Sequence, residues 1–246
     1  MRLFGLIGKP LTHSFSPRFF QEKFAREGLQ DCAYRLFPLE QISDFPALMR
    51  DTPHLNGLNV TIPYKREVLP YLQEHFIPKE IDACNCIKIQ SGRCIGYNTD
   101  WIGFEKSFLP LLEPRHKAAL VLGHGGASLA VCYVLKKNGI PYARVGRHSG
   151  ANVELTYNQL DFSILQSHSI IINTTPLGTY PAVESCPAIP YEAIGPQHLL
   201  YDLVYNPALT LFLKNGQERG ARIKNGEEML RIQAEESWKI WNQDPS

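Results

Sequence analysis

The chain has 246 residues, 44% hydrophobic and 20% charged, with a formal net charge of +1. That length suits one or two cored domains, and the near-neutral balance offers no single-sign field to draw in nucleic acid or an anionic membrane. The expected partner is a small molecule. The apolar opening is cut short by Lys9-Pro10 and reads as a buried strand rather than a leader. No apolar run approaches the ~20 residues of a membrane span, and the cytoplasm is the expected setting.

In chain order, Leu3–Ile7 reads as a strand and Pro17–Glu27 as a helix ended by Gly28. Ala33–Phe37 and Gly57–Ile62 read as strands, and Ala83–Gln90 with Arg93–Tyr97 as a hairpin about Ser91-Gly92. With helices between them, these elements suggest a mostly parallel α/β layer. Trp101–Leu112 reads as a linking helix stopped by Pro114. Ala118–Leu122 is the next strand, then a helix over Ala127–Lys137 with Gly139 at its C′ position. Tyr142–Val145, Ser169–Asn173 and Leu199–Leu203 complete the rhythm of a doubly wound nucleotide-binding domain. Pro181–Pro196 is a loop, and Glu227–Trp241 carries a helical apolar stripe through Leu230, Ala234, Trp238 and Trp241.

Six cysteines invite a metal reading, because Cys84, Cys86 and Cys94 cluster. The C-x-C spacing is not that of common zinc sites, so buried reduced thiols and no metal are expected.

Gly123-His124-Gly125-Gly126 follows a predicted strand and opens a predicted helix. Gly123 allows the tight turn, and Gly125 and Gly126 let backbone approach a pyrophosphate at the helix N-terminus. Ser128 stands where a strict fingerprint has its third glycine. After the next strand an NAD site usually places an acid. Here the run is Val145-Gly146-Arg147-His148, with no acid before Glu154. Arg147 can pair with a 2′-phosphate, which favours NADP.

Three polar runs suggest a second site. In Ser14-Phe15-Ser16-Pro17, Ser16 before Pro17 makes a good N-cap, and two hydroxyls pointing one way can also hold a carboxylate. In Leu58–Lys65, Leu58, Val60 and Ile62 share one strand face while Asn59 and Thr61 share the other. Lys65 then falls near a helix start, where the helix field would lower a lysine's pKa; an ordinary solvated lysine is the other reading. Asp100 can cap the helix from Trp101, or orient Lys65 if the fold sets them together. Gln233, inside the apolar stripe of the last helix, is an amide that must find partners.

These runs, with Asp82-Ala83-Cys84-Asn85, Gly96–Gly103, Ile172–Gly178, Tyr201–Pro207 and Gly226–Gln233, occur in the order of the shikimate dehydrogenase family, which the chain resembles over nearly its whole length. The resemblance implies NADPH-dependent, reversible reduction of 3-dehydroshikimate to shikimate in aromatic amino-acid synthesis. It implies an α/β substrate domain (1–99), a Rossmann-type doubly wound dinucleotide-binding domain (100–225) facing it across a cleft, and a C-terminal helix (226–246) returning to the first. By carry-over, Ser14 and Ser16 take the substrate carboxylate, and Asn59, Thr61, Asn85, Asp100 and Gln233 the rest of the substrate. Lys65 and Asp100 are the catalytic pair, and Tyr205 contacts substrate from the cofactor domain. Gly123, Gly125, Gly126, Ala127, Arg147, Thr174 and Gly226 are the cofactor residues. A monomer or homodimer is expected.

Some residues depart from the pattern. The family's cofactor-selecting segment usually reads Asn-Arg-Thr with a second basic residue shortly after; here Gly146 and His148 replace the Asn and Thr, and Ser149-Gly150-Ala151 adds no arginine. NAD stays open beside NADP. His124 stands where a small residue is common, and Cys84 and Cys86 stand where Val and Thr are usual. The competing readings are a quinate/shikimate dehydrogenase using NAD, a non-catalytic ligand sensor on the same scaffold, and a methyltransferase with a glycine loop. The last two have no need of both Lys65 and Asp100.

Overall fold

The computed structural model describes residues 1–11 and 14–243. The chain divides into two compact units, Met1–Ile102 with Arg231–Ser246, and Gly103–Leu230.

The first unit is built on β1 (Arg2–Gly8), β2 (Cys32–Pro38), β3 (Leu55–Val60), β4 (Glu74–His75), β5 (Cys86–Gln90) and β6 (Arg93–Tyr97), with helices α1 (Phe15–Arg26) and α2 (Phe45–Asp51) between the early strands. The sheet order is β2-β1-β3-β5-β6-β4. β1 pairs in parallel with β2 and β3, and β5 pairs antiparallel with β3 and β6. β1 is buried from Leu3 onward, as expected of a strand covered on both faces. Its core gathers Phe4, Phe19, Phe20, Phe24 and Tyr34. Trp241, near the end of the last helix, stacks on Phe4 at 4.9 Å between ring centroids and donates its indole N–H to the Ile87 carbonyl at 3.0 Å. The C-terminal helix is thereby part of this core.

The second unit carries a wholly parallel sheet. After α3 (Asp100–Phe108), which straddles the division between the units, come β7 (Ala119–Leu122), α4 (Gly126–Lys137), β8 (Tyr142–Gly146) and β9 (Leu155–Thr156). Then follow α5 (Phe162–Ser167), β10 (Ile170–Asn173), β11 (Leu199–Asp202), α6 (Leu211–Gln217), β12 (Arg222–Lys224) and α7 (Glu227–Asn242). The order β12-β11-β10-β7-β8-β9 is doubly wound. Its central strands, Ala-Leu-Val-Leu, Ile-Ile-Ile-Asn and Leu-Leu-Tyr-Asp, are buried at every position. Runs this short and apolar suit strands with helices on both faces.

Several predicted bounds move. α1 starts at Phe15 rather than Pro17, so Ser14 is the N-cap position and Ser16 lies in the first turn. β3 ends at Val60, and Ile62 is 72% exposed rather than sharing the buried face of Leu58 and Val60. The chain turns repeatedly from Thr61 to Val68, and no helix begins at Lys65, so a helix field has no part in its chemistry. The short strands β4, β9 and β12 were too brief to show a period of two. No helix among the described residues is long and apolar enough to cross a membrane.

Candidate active site

In the first unit the Lys65 ammonium donates to Asp100 Oδ2 at 2.7 Å, with side chains 22% and 13% exposed. Asp100 does not serve as the cap of α3. The Asn98 side-chain oxygen accepts from the backbone N–H groups of Asp100 and Trp101 at 3.0 and 3.3 Å, satisfying donors that a helix start leaves open. The Asp100 carboxylate is thereby left for side-chain partners. Its other oxygen accepts from Asn85 Nδ2 at 2.8 Å.

Asn85 begins a buried polar network. Its oxygen accepts from the Thr99 backbone N–H at 2.6 Å, and its amide nitrogen also faces Thr99 Oγ1 at 3.0 Å and Gln233 Oε1 at 3.4 Å. Thr99 Oγ1 meets Ser237 Oγ at 3.3 Å; Ser237 donates to the Gln233 carbonyl and accepts from Asn59 Nδ2 at 2.9 Å. Asn59 Oδ1 in turn accepts from the Tyr34 phenol at 2.9 Å. Burial pushes the Tyr34 phenol up, opposed by a hydrogen bond with the Ser16 side chain. Asn59, Asn85, Asp100, Lys65 and Gln233 are thus joined in one chain of contacts across β3, the 61–68 turns, α3 and α7, with the Ser16 side chain near the Tyr34 phenol. Every link has a partner, which a buried polar network needs if it is to hold one geometry. Ser14 and Thr61 are half-buried, and Thr61 is tied through its backbone N–H to the Ile7 carbonyl at 2.9 Å.

Thr99, Ser237, Tyr34 and Asn98 escaped sequence reasoning. Thr99 and Asn98 lie inside the Gly96–Gly103 run, where nothing local marks them. Ser237 follows Gln233 by one helical turn, and that spacing was the available signal. Cys84 and Cys86 are wholly buried; desolvation pushes the Cys84 thiol up to about 12, which holds it neutral.

In the second unit a groove of about 380 Å³ lies at the carboxyl ends of the parallel strands, the end where doubly wound sheets take ligands. Gly123, His124, Gly125, Gly146, Arg147, Tyr157 and the run Thr174–Leu177 are among its lining residues. Gly123 has φ +107, and a Cβ there would stand 2.7 Å from Thr174 Oγ1, so only glycine allows this turn. A Cβ at Gly125 or Gly126 would project into open space. That leaves uncovered backbone at the start of α4, of the kind that receives a diphosphate. The groove therefore brings together Gly123, Gly125, Arg147 and Thr174. Gly126 and Ala127 form the adjoining first turn of α4. Gly226, outside the lining, donates its N–H to the Val204 carbonyl at 3.1 Å, and Tyr205 is half-buried in the following loop.

Two further details bear on the choice of dinucleotide. Gly146 is forced by its neighbour, since a Cβ would meet the Val153 methyls at 2.8 and 2.9 Å. Glu154 is occupied elsewhere: its carboxylate takes the backbone N–H and the guanidinium of Arg144 at 2.7–3.2 Å, and that guanidinium holds its pKa below the usual range. Behind the groove, Asn173 and Asp202 form a buried pair at the ends of β10 and β11. Asn173 Nδ2 donates to Asp202 Oδ1 at 2.9 Å, and Thr210 Oγ1 donates to Asp202 Oδ2 at 2.6 Å. Burial raises the Asp202 pKa to about 6, against those hydrogen bonds and one from the Val204 N–H. Neither Asn173 nor Asp202 was singled out as functional from the sequence.

Residues 6–87 match the family model for the shikimate dehydrogenase substrate-binding domain. The chain is 37% identical over 263 aligned positions to a shikimate dehydrogenase (NADP(+)) of Methanococcus maripaludis, covering 98% of this chain and 91% of the relative. The crystal structure of the Aquifex aeolicus shikimate dehydrogenase superposes with a TM-score of 0.86 at 34% identity, covering 98% of this chain and 92% of that one. The Thermus thermophilus shikimate 5-dehydrogenase, solved in complex with NADP(H) and shikimate, gives 0.86 at 25% identity and covers 100% and 95%. Fold and site thus define an oxidoreductase built from a doubly wound nucleotide-binding unit and a second α/β unit. More narrowly, the chain belongs to the shikimate dehydrogenase family.

Proposed function

We propose that this chain interconverts shikimate and 3-dehydroshikimate with NADP(H), binding the acid in its first unit and the dinucleotide in the groove of its second. The observation that carries the reading is the Lys65–Asp100 pair, set 2.7 Å apart at the end of a buried hydroxyl and amide network. An ammonium–carboxylate pair beside neutral donors and acceptors suits a small polyhydroxylated acid.

The residues present fit a dinucleotide, through the open backbone at Gly125 and Gly126 and the Arg147 guanidinium. When bound, the nicotinamide supplies or accepts hydride. Lys65 moves the proton on the reacting ring oxygen. Asp100 holds the Lys65 ammonium and accepts from a neighbouring ring hydroxyl. Ser14 and Ser16 take the substrate carboxylate, and Asn59, Thr61, Asn85 and Gln233 orient the ring. Tyr205 belongs to the substrate set, and Gly123, Ala127, Thr174 and Gly226 to the dinucleotide set.

NADP is preferred over NAD on two grounds: Arg147 lines the groove, and Glu154, the nearest following acid, is spent on Arg144. The same observations disfavour the quinate reading with NAD. Six free thiols suit the reducing cytoplasm as its setting, and light scattering would distinguish a monomer from a homodimer. The decisive assay follows absorbance of the reduced cofactor with shikimate and NADP. Quinate and NAD serve as comparison substrate and cofactor. The expected result is the highest kcat/KM for shikimate with NADP; no turnover of shikimate with either cofactor would overturn the reading.

A further inference from the structure

Asn173 and Asp202 end β10 and β11, lie opposite one another in the parallel pairing of those strands, and are wholly buried. Neither lines the groove, yet one wall of it begins at the very next residue, with the run Thr174–Leu177. The amide of Asn173 has two unlike ends, and its surroundings accept one orientation. Its oxygen accepts from the Thr175 N–H at 3.0 Å and the Thr175 hydroxyl at 2.6 Å, while its nitrogen donates to Asp202 Oδ1 at 2.9 Å. Turned over, it would set a donor against the Thr175 N–H and an acceptor against the carboxylate.

The carboxylate is equally fixed. Ionised, it offers acceptors only, and the Val204 N–H at 3.0 Å and the Thr210 hydroxyl at 2.6 Å hold it in place. Burial disfavours its charge, so packing alone does not account for a carboxyl at this position. The other end of the relay bears on the groove itself. Thr174 and Thr175 stand against the glycine turn: a Cβ on Gly123 would lie 2.7 Å from Thr174 Oγ1 and 3.0 Å from Thr175 Cγ2. With so little room, a small displacement of Thr175 alters the space between the two walls. The Thr175 hydroxyl has one hydrogen and spends it on Asn173, so it has none to give a phosphate.

We propose that Asp202 and Asn173 are positioning residues for the dinucleotide: the carboxylate fixes the Asn173 amide, and the amide oxygen sets Thr175 and with it the Thr174–Leu177 wall of the groove. This rests on the reading that the groove holds the dinucleotide.

Calorimetric titration of the full chain with NADP tests the two levels separately. Wild-type protein that did not bind NADP would overturn the dinucleotide reading itself. Given wild-type binding, Asp202→Ala is expected to raise Kd about tenfold, the scale of a lost hydrogen bond. At a temperature where the variant is fully folded, a merely structural role would leave Kd unchanged. Asp202→Asn, which keeps an oxygen for Asn173, should recover most of the affinity. Thr175→Val cuts the other end of the relay with little change in volume and should weaken NADP by a similar factor, while Thr175→Ser should restore it. The double variant Asp202→Ala/Thr175→Val should lose little more than either single one, because both break the same relay. Unchanged Kd in Thr175→Val, or additive losses in the double variant, would overturn the proposal. Should Asp202→Ala not fold, Thr175→Val against Thr175→Ser decides alone, and equal affinities would overturn it.

Discussion

Lys65 and Asp100 lie 35 positions apart in the chain, yet their ammonium and carboxylate meet at 2.7 Å. The contact joins a run of turns after β3 to the first residue of α3. Asp100 is free to make it because Asn98 caps the helix instead.

The pair predicts a split between turnover and binding. Lys65→Ala should lower kcat with shikimate by about 10²–10⁴, the usual scale for a positioned proton-transfer group, while KM stays within a few fold. Initial rates across shikimate concentration check this. Unchanged turnover would remove Lys65 from the proton path.

The division of labour at the start of α3 predicts opposite signatures at two nearby positions. Asn98→Ala removes the cap and a buried bond to the Ala83 carbonyl at 2.7 Å, and should cost about 1–3 kcal/mol in urea unfolding. Asp100→Asn should cost less stability and far more turnover. If the stability loss fell on Asp100 instead, the capping assignment would be wrong.

Gly146 predicts a rescue. Gly146→Ala drives a methyl into Val153 and should destabilise by about 1–3 kcal/mol, as overpacking does. Adding Val153→Ala should recover part of that loss. Thermal unfolding of the two variants and the wild type measures it, and additive losses would show that Val153 is not the obstacle.

Asp202 predicts a pH dependence whose sign follows from its raised pKa. Below about pH 4 its carboxyl is protonated in both folded and unfolded chains. Between that point and about pH 6 the unfolded chain releases the proton while the fold retains it. The stability contributed by the protonated group is fully present below about pH 4 and is lost as pH rises through about 6. Wild-type stability relative to Asp202→Asn should therefore fall by on the order of 2–3 kcal/mol over that window and then level. Urea titrations from pH 4.5 to 7.5 follow it, and a flat difference would contradict the burial argument.

Local physics made much of this protein legible in its sequence. The short apolar strands of the second unit, the glycine turn at Gly123 and the amphipathic last helix each follow from contacts within a few residues, where period and backbone freedom suffice. Gln233 betrayed itself as an amide in an apolar stripe. The ordered runs carried the family. The helix expected at Lys65, and with it the field that would lower its pKa, is replaced by a series of turns tied to Ile7, Leu39 and Cys84, while the carboxylate that stands beside Lys65 is that of Asp100.

What the sequence determined by itself was the order of the elements and the types of residue available to the chemistry. Tertiary structure decided which of them meet. Asn98 rather than Asp100 caps α3, Ser237 and Thr99 bridge Asn59 to Asn85, and Glu154 is spent on Arg144. Such pairings depend on strand register and helix packing between distant segments, and a period read along one segment carries no information about the segment it will face.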